Sequence, residues 1–170
     1  MELKGKSFIL RAWYVNDFEA LQRHADNTNI SDYLFDRFPS PYSIKNAEIF
    51  VGSKLHQNPF TSFVIEINGE LAGVIGIDFR DDIYRKAPLI GYWLAQEYWG
   101  RGVMTEAIKI VAQYAFATLD IVRLQAGVLA NNPRPMRVLE KAGFVREAVL
   151  KNNIIKHGVI MDEVIYGMVK

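Results

Sequence analysis

The spacing of hydrophobic and polar residues along this chain alternates between a period of two and a period of about 3.6. The first period, together with runs rich in β-branched and aromatic residues, predicts strands. The predicted strands cover residues 7–12, 61–67, 71–79, 87–94, 123–129, 146–155 and 159–169. Asn68-Gly69 separates two of them and is typical of a two-residue hairpin turn, because both residues tolerate a positive φ.

The helical period predicts four helices. They cover residues 17–27, 44–56, 102–118 and 133–141. Asn16 and Ser43 are the predicted N-caps of the first two helices, and Ile44 lies on the predicted apolar side of the second. The fourth helix opens with proline and ends before Gly143. Residues 28–42 show no sustained period, which indicates a loop or a broken helix.

The order of these elements is βααβββαβαββ, which is typical of an α/β chain of the α+β type. Interleaved helices and strands, with hairpins at the edges, predict a mixed sheet that carries helices on its faces. The 170 residues fit a single domain with one core, and no linker-like stretch interrupts them.

Composition narrows the classes of function. Twenty basic and 19 acidic residues give a net charge of +1, so nothing favours a nucleic-acid partner. The absence of cysteine excludes disulfides and thiolate chemistry and is compatible with a cytoplasmic setting. No apolar run approaches the ~20 residues that cross a bilayer, so we expect a soluble protein without a membrane partner. His24, His56 and His157 lack companions at metal-ligand spacing, so no metal site is predicted.

The predicted strand at 87–94 leads into a turn that contains Gly100-Arg101-Gly102, and this turn leads directly into the longest predicted helix. Backbone N–H groups at a helix N-terminus lack internal partners and lie at the positive end of the dipole, so this arrangement suits a diphosphate. A P-loop is excluded because Val103 follows the last glycine, and a dinucleotide fingerprint is excluded because residue 105 is Thr. The two glycines alone are equally compatible with a simple tight turn.

Two motifs carry a resemblance to a known family. The stretch from Glu97 to Gly102 (EYWGRG) resembles the acetyl-CoA-binding motif Gln/Arg-x-x-Gly-x-Gly/Ala of the GNAT superfamily of N-acetyltransferases. The stretch from Asn132 to Phe144 is similar to a second motif, in the branch typified by ribosomal-protein N-terminal (RimJ/RimL-like) acetyltransferases. The resemblance implies a GNAT-like mixed, mostly antiparallel sheet of about seven strands with helices on both faces.

The resemblance also implies which residues bind acetyl-CoA, the acetyl donor. The pyrophosphate would be held by the backbone of Tyr98, Trp99, Gly100, Arg101, Gly102 and Val103. The edge of the strand at Tyr92, Trp93 and Leu94 would pair with the pantetheine arm, and Asn132 would contact its amides. Arg101, Arg137 and Lys141 could meet the adenosine phosphates, although Lys141 is equally well explained as solvated surface.

Acetyl transfer to an ammonium acceptor calls for a base that removes a proton. Asp78, at the end of a predicted strand, and Glu66, within an apolar strand, are the candidates, and each is also compatible with a solvent-facing charge. Tyr166 and Tyr92 are candidate acids for the departing thiolate.

The acceptor site is expected in the segment from Asp26 to Ser43, which mixes aromatic and acidic residues. By resemblance, the acceptor is the α-amine of a protein or peptide; a polyamine, an amino acid or an aminoglycoside is the alternative. Glu97, Leu89 and Pro135 depart from the family pattern and favour a third hypothesis, a non-catalytic acyl-CoA-binding sensor or scaffold. The 10 Phe, 8 Tyr and 3 Trp residues would suffice for a homodimer surface or for the core.

Overall fold

A computed structural model describes residues 1–170 and contains eight strands and five helices. The strands are β1 (Glu2–Lys4), β2 (Ile9–Arg11), β3 (Ser62–Ile67), β4 (Glu70–Asp78), β5 (Leu89–Leu94), β6 (Arg123–Leu129), β7 (Val145–Lys156) and β8 (Val159–Val169). The helices are α1 (Asp17–Ala25), α2 (Thr28–Ser31), α3 (Ile44–Lys54), α4 (Val103–Thr118) and α5 (Pro133–Ala142).

The strands form one mixed sheet in the order β1-β2-β3-β4-β5-β6-β8-β7. The pairs β1–β2, β2–β3, β3–β4, β6–β8 and β7–β8 are antiparallel, whereas β5 and β6 run parallel. The predicted count of about seven strands was one short, because β1 was missed. Its three residues include only one apolar side chain, so the sequence carries no strand period there.

By its internal contacts the chain divides into two compact units, and β4, β5 and α4 contribute residues to both. The first unit comprises residues 1–76 and 92–107. Its core packs aliphatic and aromatic side chains of α1, α3, β3, β4 and the loops that precede α1 and α3, namely Trp13, Ala20, Leu21, Ala25, Tyr42, Ala47, Val51, Val64, Leu71 and Val74. Ile44 was wrongly predicted on the packed side of α3, since 44% of it is exposed.

The second unit comprises residues 77–91 and 108–170. Many of its buried side chains come from α4, β6, α5 and β8, and the largest that are fully buried are Ile108, Val111, Leu124, Leu139 and Tyr166. The prediction of a single domain over 1–170 stays a prediction. No helix of either unit is both long and apolar enough to span a bilayer.

Short sequence patterns predict one of the hairpin turns and the starts of two helices. Asn68 (φ 54°) and Gly69 (φ 82°) both adopt positive φ between β3 and β4, which confirms the predicted hairpin. Ser43 forms a capping box with Asn46 at the start of α3, as the predicted cap requires. Asn16 is the N-cap residue of α1, as predicted, but the expected capping hydrogen bond from its side chain is not made.

Candidate functional site

The predicted diphosphate loop lies within the first unit and joins β5 to α4. β5 ends at Leu94, a 3₁₀ turn follows at Gln96–Tyr98, and α4 begins at Val103. Gly100 and Gly102 have φ values of 77° and 79°, in the left-handed region that glycine adopts without steric cost. The path of the loop therefore depends on both glycines.

Six consecutive backbone N–H groups of this loop, from Gly100 to Thr105, donate to no acceptor of the protein, and the first bond into the helix runs from the Glu106 N–H to the Gly102 oxygen at 3.1 Å. These donors lie at the N-terminus of a 16-residue helix, where the helix dipole is positive. A Cβ built on either glycine would have no heavy atom within 4 Å, so the surface of the loop is open. The arrangement can bind an anionic group through the backbone alone.

Several contacts hold the loop against the end of the sheet. The Trp99 indole N–H donates to the Leu94 oxygen at 2.7 Å, and the Ala95 N–H donates to the Ala72 oxygen at 2.7 Å. The Arg101 guanidinium lies 5.4 Å from the centre of the Tyr98 ring, in a cation–π contact. Arg101 is exposed, so its charge faces the same solvent as the loop.

The strand segment at Tyr92, Trp93 and Leu94, predicted to pair with pantetheine, leads directly into the loop. Leu94 is buried, and the two aromatic residues are half-buried. The parallel register between β5 and β6 is a single pair, Leu89 with Gln125, so these three residues lie beyond it. Pairing of this segment with pantetheine stays a prediction.

Glu66, one of the two candidate bases, is occupied by a structural ion pair. Arg11 Nε lies 2.5 Å from its Oε2, while the same guanidinium binds both carboxylate oxygens of Asp17 at 2.8 Å. Burial alone would lower the pKa of Arg11, but hydrogen bonds to Asp17 and Glu66 raise it above its ordinary value. Glu66 therefore has a partner that explains its position without catalysis.

Asp78, the other candidate base, ends β4 and is exposed. Whether it acts as the base stays a prediction.

Tyr166, a candidate acid, lies in the core of the second unit with 1% of its surface exposed. Its hydroxyl donates to Glu140 Oε1 at 2.8 Å, and burial together with this bond raises the pKa of Tyr166 to about 12. A phenol in this state releases its proton less readily than a free tyrosine. The geometry thus favours a structural role for Tyr166 and leaves Tyr92, on β5, as the candidate with a half-buried side chain.

The remaining predicted binding residues belong to α5 of the second unit. Asn132 is the N-cap residue of α5, but its side chain makes no capping hydrogen bond and is half-buried. Its amide is thus available to another group. Arg137 and Lys141 are both exposed on α5. No group of three or more His, Cys, Asp or Glu side chains could hold a metal ion.

Sequence reasoning missed the polar contacts on the turn before the loop. Gln96 accepts hydrogen bonds from two asparagines near α2, and Glu97 lies 3.6 Å from the Nδ1 of His24. Burial lowers the pKa of His24, and the charge of Arg23 lowers it further, whereas Glu97 opposes the shift. The only sequence signal for these contacts was Glu97 itself, which departs from the family motif.

The mixed sheet and the glycine loop before α4 are typical of α/β proteins that bind a diphosphate-bearing ligand, and comparison with known families makes the assignment specific. The acetyltransferase (GNAT) domain matches residues 7–145. This chain belongs to the GNAT acetyltransferase family, whose acetyl-donor co-substrate is acetyl-CoA. The predicted family is confirmed.

Relatives of known sequence are named as N-acetyltransferases. The chain is 36% identical to the uncharacterized N-acetyltransferase YoaA of Bacillus subtilis (strain 168), over 99% of this chain and 96% of YoaA. It is 33% identical to the putative ribosomal N-acetyltransferase YdaF of the same organism, over 61% of this chain and 56% of YdaF. A spermidine N(1)-acetyltransferase of Vibrio cholerae is 27% identical, over 93% of this chain and 90% of that protein.

Some of these matches are partial. The match to the probable N-acetyltransferase YjcK of Bacillus subtilis (strain 168), at 47% identity, covers 43% of this chain and 40% of YjcK. The matched part is therefore about half the length of YjcK and YdaF.

Solved structures confirm the predicted fold class. RimL, a ribosomal L7/L12 alpha-N-protein acetyltransferase in complex with coenzyme A, superposes with a TM-score of 0.87 at 22% identity, covering 99% of this chain and 98% of that one. The microcin C7 self-immunity acetyltransferase MccE, in complex with acetyl-CoA and AMP, has a TM-score of 0.83 at 24% identity, covering 98% and 94%. At these identities the likeness establishes the fold.

Proposed function

We propose that this protein transfers the acetyl group of acetyl-CoA to the α-amine of a protein or peptide N-terminus. The observation that carries the proposal is the row of unpaired N–H groups from Gly100 to Thr105 at the start of α4. Such a row binds a diphosphate with little reorganisation, because its donors are already aligned by the helix. Arg101, exposed beside the row, would add a positive charge to the same site.

Acetyl-CoA would supply a thioester, and the chain would supply position and proton transfer. The acceptor nitrogen forms a bond to the acetyl carbon, the carbon–sulfur bond breaks, and the sulfur leaves as a thiolate. The carboxylate of Asp78 would take the proton that the amine loses, and a backbone N–H of the Tyr92–Leu94 segment would donate to the thioester oxygen. Positioning alone can lower such a barrier by roughly 7–11 kcal/mol.

Two lines of support favour an α-amine acceptor. The motifs at Glu97–Gly102 and Asn132–Phe144 resemble the ribosomal-protein branch, and YdaF is named a putative ribosomal N-acetyltransferase. The segment from Asp26 to Ser43 is long enough to contact several residues of a peptide, and its exposed aromatic side chains include Tyr33 and Phe35.

A polyamine acceptor is the second candidate. The end of β4 and the turn after it expose three carboxylates, those of Asp78, Asp81 and Asp82, which suit a polycation. Relatives named spermidine N(1)-acetyltransferases are consistent with this chemistry.

The deciding experiment measures thiol release from acetyl-CoA by the purified protein. The acceptors are peptides with varied N-termini, the same peptides with blocked N-termini, polyamines, amino acids and aminoglycosides. We expect release only with the peptides whose N-terminal α-amine is free. Stimulation by polyamines alone would assign the second candidate. Tight acetyl-CoA binding without release for any acceptor would instead support the non-catalytic sensor.

Two conservative variants test the assigned roles. We expect Asp78→Asn to lower kcat by about 10²–10⁴, as loss of a general base does, and to leave acetyl-CoA affinity unchanged. Tyr166→Phe should retain most of kcat, because its hydroxyl already donates to Glu140. A loss of kcat in Tyr166→Phe without a loss of stability would return Tyr166 to the role of acid.

A further inference from the structure

The turn before the diphosphate loop is bonded to a segment almost seventy residues earlier in the chain. The side-chain oxygen of Gln96 accepts hydrogen bonds from the Nδ2 atoms of Asn27 and Asn29, each at 3.0 Å. Asn27 is also the N-cap of α2, and its Oδ1 accepts from the Asn29 N–H at 2.9 Å. A single acceptor atom therefore joins the first turn of α2 to the turn at Gln96–Tyr98.

The turn at Gln96–Tyr98, on the side of the diphosphate loop, is held by backbone hydrogen bonds. Within the turn, the Tyr98 N–H donates to the Ala95 oxygen at 3.0 Å and the Trp99 N–H donates to the Gln96 oxygen at 3.1 Å. Glu97, in the same turn, lies 3.6 Å from the Nδ1 of His24 near the end of α1. A change in the position of the two asparagines therefore reaches this turn through the Gln96 side chain.

The segment 26–43, on the other side of Gln96, is also held by hydrogen bonds. Asp26 Oδ1 accepts from the Tyr42 N–H at 2.9 Å, and the Gln22 side-chain amide donates to the Tyr42 oxygen at 3.0 Å. These bonds hold the two ends of the segment together. The segment that Gln96 contacts is thus closed by hydrogen bonds between its two ends.

We propose that Gln96 is a positioning residue that couples the conformation of segment 26–43 to occupancy of the diphosphate loop. The inference rests on the proposed function, in which the loop binds CoA and the segment contacts the acceptor. A ligand that fixes the loop also fixes the Gln96 side chain, and through it Asn27 and Asn29. By linkage, ordering of the segment strengthens binding at the loop by the same factor.

Hydrogen–deuterium exchange of the whole chain, with and without saturating CoA, tests this coupling. We expect CoA to slow amide exchange across residues 26–43 about fivefold or more in the wild type, the low end of typical coupling between sites. In Gln96→Ala, at CoA concentrations that calorimetry shows to be saturating, this slowing should be lost. Gln96→Glu should restore it, because a carboxylate oxygen accepts from both asparagine amides.

Two further variants separate coupling from general stability. Gln113→Ala, an exposed glutamine in α4, should behave like the wild type, whereas Asn29→Leu should lose the slowing as Gln96→Ala does. Slowing that survives in Gln96→Ala, or that is absent in a wild type that binds CoA, overturns the inference and leaves the proposed function standing. A wild type that binds no CoA overturns both.

Discussion

Arg11 is 3% exposed, and its guanidinium compensates the buried carboxylate of Asp17. Arg11→Met removes that charge and leaves the Asp17 carboxylate with only the Tyr14 N–H as a partner. Removing one member of a buried ion pair destabilises by about 3–5 kcal/mol, so we expect a loss of that size in the free energy of unfolding in urea.

The matched control is Arg23→Met. Arg23 pairs with Glu70 at the surface, where both side chains are about half exposed. An exposed pair contributes about 0–1 kcal/mol, so this variant should unfold nearly as the wild type does. Equal losses in the two variants would contradict the distinction between buried and exposed pairs.

The loop glycines can be tested against a glycine with the same backbone conformation elsewhere. Gly102 (φ 79°) and Gly69 (φ 82°) both lack heavy atoms within 4 Å of an added Cβ. Alanine at either position should therefore cost about 1–2 kcal/mol of stability, through left-handed strain alone. We expect only Gly102→Ala to weaken acetyl-CoA binding in calorimetry; the same affinity in both variants would remove the loop from the binding site.

Helix α3 depends on its cap, whereas α1 does not. The Ser43 hydroxyl accepts from the Asn46 N–H at 3.1 Å, and the Asn46 side chain accepts from the Ser43 N–H at 3.0 Å. Ser43→Ala should lower the free energy of unfolding by about 1 kcal/mol, measured in urea. Asn16→Ala, at a position without a capping bond, should leave it unchanged; a similar loss there would show that the cap is not the cause.

These two caps also show where sequence patterns suffice for an element. Ser43 and Asn46 interact only with each other and with the helix, so their sequence determines the capping box. At α1 the adjacent Asp17 accepts from the Tyr14 N–H and binds Arg11, and these contacts, rather than Asn16, organise the approach to the helix. β1 escaped prediction for a related reason, since its only support is pairing with β2.

The same distinction applies to the candidate site. The Gly100–Gly102 loop was predictable, because a strand, two glycines and a helix follow one another directly. The bonds of Gln96 with Asn27 and Asn29 were not, because no local pattern brings together residues so far apart in the chain. The surroundings of Tyr166 were not predictable either, because its burial and its bond to Glu140 depend on tertiary packing; its role as an acid stays a prediction.

The pH dependence of stability is a property of the whole molecule to which His24 contributes. Burial lowers the pKa of His24 in the folded chain below its ordinary value of about 6.5. In the window between those two values the unfolded chain binds more protons, so the free energy of unfolding falls as the pH falls. We expect His24→Gln to lose less stability than the wild type between about pH 7.5 and 5.5 in urea titrations. An unchanged or steeper loss in the variant would contradict this assignment.

Each unit is assembled from separate stretches of chain, and the first unit is completed only by residues 92–107. Synthesis proceeds from the N-terminus at about 5–20 residues per second, so this stretch leaves the ribosome seconds after most of the first unit. Until it arrives, the nascent protein holds an incomplete core with apolar side chains open to other chains and to chaperones. The stretch that carries the glycine loop therefore also sets the earliest moment at which the N-terminal half of the nascent chain can be protected from aggregation.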